Sequence, residues 1–201
     1  MPFLLRLLKK VWVYVLVIAG ATLAAGLYGA LHDQISYTLA PEYYTRFKFE
    51  QFGLFWGNDR PREAAAVVGV LATWWVGTGC ALLLGLLGFI FKEPAQMRRA
   101  LIRSTLWVVA GAIAGGVVGY AYGCYRVTPE SITEYARWVR PAVTDPIAFV
   151  RVGFLHNGSY LGGFVGLLAG AVYLIVARIK AGRCTSRSGL DGGRLKGQTP
   201  G

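Results

Sequence analysis

The sequence predicts an all-α integral membrane protein: a four-helix bundle with two short interfacial helices in its outer loops. Three observations predict it. The chain is 55% hydrophobic and only 15% charged, and its apolar residues come in long runs. Four of these runs, about 11–31, 64–91, 104–125 and 152–177, reach the roughly 20 residues that cross a bilayer core. The net charge of +11 falls on one side of the four spans, as the positive-inside pattern requires. With the N-terminus inside, the inside segments carry Arg6, Lys9, Lys10, Lys92, Arg98, Arg99, Arg103, Arg178, Lys180, Arg183, Arg187, Arg194 and Lys196 against only Glu93 and Asp191. Basic and acidic residues balance on the outside. Residues 1–178 read as one transmembrane domain. The basic excess reads as topology and contact with the lipid bilayer, not as nucleic-acid binding.

The first run follows MPFLLRLLKK. It exceeds the 7–15 apolar residues of a usual signal core, and bulky Tyr28 sits where a small residue is wanted, so it reads as an uncleaved helix. The outer segment after it holds Tyr37, Tyr43, Tyr44, Phe47, Phe49, Phe52, Phe55 and Trp56. Pro41 and Glu42 suit a first helical turn, predicting a short helix over 41–52 at headgroup level. The second span carries Trp74 and Trp75 inside its apolar run, where an indole N–H is expected to find a partner within the bundle. A short basic loop then returns the chain as an antiparallel neighbour.

The third and fourth spans share a pattern. Gly111, Gly115, Gly119 and Gly123 recur every fourth residue, as do Gly158, Gly162, Gly166 and Gly170. This glycine-zipper spacing lets two helix backbones approach closely in lipid, within one chain or between chains of a homo-oligomer or membrane partner. Between these spans Thr128, Pro129 and Glu130 read as a helix start, with Ile132, Tyr135, Ala136 and Val139 on one face until Pro141. Residues 179–201 read as a disordered basic cytoplasmic tail. Cys80, Cys124 and Cys184 fall at three depths, which predicts no disulfide among them.

The polar residues of the outer layer are the candidates for chemistry. His32 and His156, the chain's two histidines, both fall at the outer boundary, with Asp33, Glu42 and Asn157 in the same layer. Two imidazoles with a carboxylate suit a divalent transition metal, for which His32, His156 and Glu42 are the candidate ligands. The same groups suit a proton-handling or ligand pocket. A structural role, with His156 and Asn157 tying the fourth helix to the first outer loop, competes with both. On a helical wheel His156 points away from Gly158, with Tyr160 and Gly163 on its side. Ser159 reads as bonding its own helix, with no third partner for a Ser/His/Asp arrangement. No full charge lies mid-span, which argues against an ion-coupled transporter.

The string HDQISYTLAPEYYTRFKFEQFG, with HNGSYLGG, resembles a family of small uncharacterised bacterial inner-membrane proteins that carry an HDQ…PEY…FKF pattern. Ala40 and Tyr44 stand where the family has Ser and Phe. The resemblance implies a bacterial multi-pass inner-membrane protein and places His32, Asp33, Glu42 and His156 in the distinctive part; both termini are expected in the cytoplasm from the one-sided basic charge. It carries no activity or cofactor. Two function classes stand open: a structural or accessory membrane protein, and a membrane-boundary metal- or ligand-binding protein or enzyme.

Overall fold

The computed structural model describes residues 2–195, with side chains as far as Gly182. Four long helices dominate: α1 (Pro2–Leu39), α2 (Pro61–Gly88), α3 (Pro94–Arg126) and α4 (Pro146–Leu195). Among the described residues there is no strand. Each helix is long and apolar enough to cross a membrane. Their leucines, valines and tryptophans face outward: Leu23, Val117, Leu161 and Val172 are all exposed. Apolar side chains on the outside of a helix bundle need lipid rather than water. The chain is a multi-pass membrane protein.

Proline marks three of the starts. Pro61, Pro94 and Pro146 each open a helix, where the missing N–H would be unsatisfied anyway. At α4 the preceding Asp145 accepts the Ala148 N–H at 2.9 Å, a side-chain N-cap. The far end of α2 is closed by cations. Lys10 Nζ donates to the Phe89 carbonyl at 3.2 Å and Arg178 Nε to Ile90 at 2.8 Å.

The four helices form two tight pairs. In the α3–α4 pair, a methyl group added at Gly115 would collide with the Gly158 carbonyl, and one at Gly162 with that of Gly111. Gly119 meets Phe154, Gly166 meets Trp107 and Gly170 meets Ser104 in the same way, while Gly123 faces Phe154 and Arg151. In the α1–α2 pair, Gly29 and Gly69 press on each other's carbonyls, and Gly77 on that of Ala21. Thr73 Oγ1 donates to Ala25 O at 2.6 Å, and the Thr22 and Thr78 hydroxyls meet at 2.7 Å.

Between the pairs, contact concentrates at the two ends. At the end carrying the long loops, Tyr43, Tyr44, Phe49, Val68, Val127, Phe149 and Val152 form one core. At the opposite end Leu84, Phe91, Met97, Leu101 and Leu174 form another. The middle is left open.

Several expectations change. α1 runs to Leu39 rather than 31, so His32 and Asp33 are helical. The segment 41–51 is helical as expected, with a π-helical middle at Tyr44–Lys48. The second loop forms one 3-10 turn, Ile132–Tyr135, instead of an α-helix from Thr128. The cause is Ser131: its hydroxyl bonds Arg126 O at 2.6 Å and the Thr128 N–H at 3.0 Å, closing a turn where the helix would begin. Trp74 and Trp75 face outward, 45% and 57% exposed, with no hydrogen bond to another described helix. α4 runs past the expected bound at 177, where Ala177, Arg178, Lys180 and Ala181 favour helix, and its helical range ends at Leu195. Residues 196–201 lie outside the described residues.

Candidate functional site

The unfilled middle is a cavity of about 220 Å³ between the two pairs. Ala21, Ala25, Val76, Leu84, Val108 and Leu167 give it apolar walls. Ala24, Tyr160 and Phe164 line it and are themselves exposed, so it opens sideways between α1 and α4. Cys80 faces it as a free thiol; Cys124 is free elsewhere. The Cys184 side chain lies outside the described residues.

The loop end of this cavity is polar. α1 presents Tyr28, His32 and Ser36 at four-residue intervals, which puts them on one helix face. α4 answers with His156, Ser159 and Tyr160. His32, Asp33 and His156 each offer a ligand atom, all within 4.8 Å of one another. The two imidazole rings meet edge to face at 4.8 Å.

Both nitrogens of His32 and one of His156 are engaged. His32 Nδ1 lies 3.0 Å from Asp33 Oδ1, and its Nε2 lies 3.2 Å from Ser159 Oγ. A carboxylate only accepts, so Nδ1 carries the proton toward Asp33. With the ring protonated at Nδ1 alone, Nε2 accepts from the Ser159 hydroxyl. His156 Nε2 faces the Tyr44 hydroxyl at 3.4 Å, and that hydroxyl also bonds Ser36. The Tyr43 ring stacks on His156 at 5.0 Å. No buried side-chain nitrogen or oxygen lacks a partner among the described residues.

The loop helix seals this end. Burial raises the Tyr43 and Tyr44 phenols above their ordinary range, so both stay neutral hydrogen-bonding groups. Lys48 lies over the Tyr43, Phe47 and Phe52 rings, and burial lowers its ammonium below the usual lysine range.

Two expected members are elsewhere. Glu42 does not join the histidines. Its carboxylate accepts the Thr144 N–H at 2.9 Å, the Thr144 hydroxyl at 3.1 Å and the Asp145 N–H at 2.8 Å, clamping the start of α4. These donors, the Asp145 N–H first, hold its carboxyl below the usual carboxylate range. Asp33, not Glu42, is the carboxylate beside the imidazoles. Asn157 lies on the exposed face of α4, so of that pair only His156 meets the loop helix, at Tyr43 and Tyr44. Ser159, expected to bond its own helix, bonds His32 across the bundle. Comparison of the chain with family models, with curated proteins and with solved structures finds no match in any of the three.

The cluster has the donor set for a divalent cation, with His32, Asp33 and His156 as ligands. An ion there must displace the Asp33–His32, Ser159–His32 or Tyr44–His156 bond. What the arrangement does as it stands is present hydrogen-bonding groups at the head of an apolar, side-opening space.

Proposed function

We propose that this protein binds an amphiphile from the bilayer, with the apolar chain in the cavity and the polar head on His32, Ser159 and His156. One observation carries the reading: the cavity is apolar along its length, polar at one end, and open at the side where lipid chains lie. A purely accessory role gives no reason for two imidazoles and a carboxylate to converge at its head. The reading includes a place in the bacterial inner membrane, with both termini cytoplasmic and the cluster in the outer leaflet. The one-sided basic charge supports that orientation. So does the resemblance of the HDQ…PEY…FKF string. The glycine zipper of α3 and α4 acts as the rigid wall against which the α1–α2 pair leaves its gap.

The test is lipid retained through purification. Ala112 lines the cavity beside Gly163. Protein purified in mild detergent should carry a bound amphiphile, and Ala112→Phe, which fills the space, should carry at least about tenfold less. Equal lipid on both would reject the reading. Metal analysis of the same samples decides the cation alternative: stoichiometric metal lost in His32→Ala would replace the amphiphile head with an ion.

A further inference from the structure

Resting on that amphiphile reading, we infer that Ser159, His32 and Asp33 form a nucleophile, base and carboxylate relay that hydrolyses a long-chain ester held in the cavity. The first observation is a departure from helix habit. Thr22, Ser36, Thr38, Thr73, Thr78, Ser104 and Thr105 each bond a carbonyl of their own helix. These are all the other serines and threonines with described side chains in the four long helices. Ser159 bonds His32 Nε2 at 3.2 Å instead. Mid-helix hydroxyls ordinarily turn back to the preceding turn, so the imidazole has drawn this one away.

The second observation is order. Asp33 holds His32 Nδ1 at 3.0 Å, leaving Nε2 as the acceptor for the serine proton. This is the connectivity of a base-activated serine, recognised by geometry and roles and not by chain order. The third is access. Ser159, His32 and Tyr28 line the cavity. A side chain at Gly116 of α3 would strike Ser159 Oγ, so glycine there leaves the hydroxyl its space. Tyr28 also interacts with Ser159, which puts a second hydroxyl donor beside the nucleophile.

The step balances. Ser159 Oγ bonds to the ester carbonyl carbon as its proton passes to His32 Nε2. The ester C–O bond breaks, and the alkoxide leaves with that proton as an alcohol. Water then attacks the acyl-serine, His32 takes and returns its proton, and a fatty acid departs.

The probe is a decyl fluorophosphonate added to the full chain in phospholipid nanodiscs. The expected result is one adduct, mapped by mass spectrometry to Ser159, absent in Ser159→Ala, and forming at least about 100-fold more slowly in His32→Gln and Asp33→Asn. No adduct on the wild type, an adduct on another residue, or an unchanged rate in His32→Gln would overturn the relay. Mapping on the wild type keeps the test independent of how the variants fold. Lipid retained by the wild type with Ser159 inert would sink the relay alone. Ser159 labelled with no lipid retained would sink the amphiphile reading and leave the relay standing.

Discussion

The seam within the α3–α4 pair and the gap between the two pairs are built from the same small residues to opposite ends. In the seam, glycine lets carbonyls of one helix lie where the other's Cβ atoms would be. At Gly163, one face away, an added Cβ would meet only Ala112 Cβ at 3.7 Å, an ordinary contact. Small residues close the first interface because the opposing backbone moves in. They open the second because the loop-end and far-end cores hold the pairs apart. Glycine therefore reads as packing or as space according to what stands opposite.

Substitutions can break that contrast, and the seam should give the largest effect. Gly115→Leu or Gly162→Leu should cost at least about 3 kcal/mol and lower the thermal midpoint sharply, since backbone must move to admit the side chain. Gly163→Ala should leave the midpoint unchanged or raise it, with helix propensity contributing up to about 1 kcal/mol. Comparable losses at both sites would mean the gap is closed.

The loop end comes next. Tyr44→Phe removes the hydroxyl shared by Ser36 and His156. A destabilisation of about 1–2 kcal/mol is expected from chemical denaturation in detergent, because two buried groups lose a partner. Glu42→Gln weakens the clamp on α4 and should cost about 1 kcal/mol near neutral pH.

The Glu42 clamp also has a pH signature. Its folded carboxyl titrates below the ordinary value of 4.5. The unfolded chain therefore takes up the proton first as pH falls. The stabilisation is whole above about pH 4.5 and is lost as pH drops through the lower folded value. Midpoints measured from pH 6 to pH 3 should fall more steeply for the wild type than for Glu42→Gln. The smallest effect belongs to Asn157→Ala, within about 0.5 kcal/mol, because that side chain is exposed.

The helix seams, the loop helix and the polar cluster differ in how far the sequence reveals them. The α3–α4 seam is legible because four-residue glycine spacing occurs on both helices and needs no knowledge of the partner. The α1–α2 pairing is fainter: Gly69, Gly77 and Gly85 recur every eighth residue of α2 and meet Gly29, Ala21 and Tyr14, but their row is filled in by Thr73 and Ala81 and faces mostly alanine on α1, so it does not read as a glycine repeat. The loop helix at 41–51 is announced by Pro41 and Glu42, but Glu42 acts on the start of α4, far along the chain, and no local pattern encodes that. His32, Asp33 and His156 stand out as rare polar residues at a membrane boundary. Ser159 looks ordinary because its partner is on another helix. The four-residue spacing of Tyr28, His32 and Ser36 on α1 is the one pattern that extends the site beyond the histidines.

The most direct test of the cavity uses its own thiol. Cys80 lines the space and Cys124 does not. A small membrane-permeant alkylating reagent is applied to the detergent-purified, delipidated protein, with modification of each cysteine followed by peptide mass spectrometry. Adding a long-chain amphiphile should slow alkylation of Cys80 at least about tenfold and leave Cys124 unchanged. Equal rates at Cys80 with and without the amphiphile, or equal slowing at both cysteines, would contradict a binding cavity between the helix pairs.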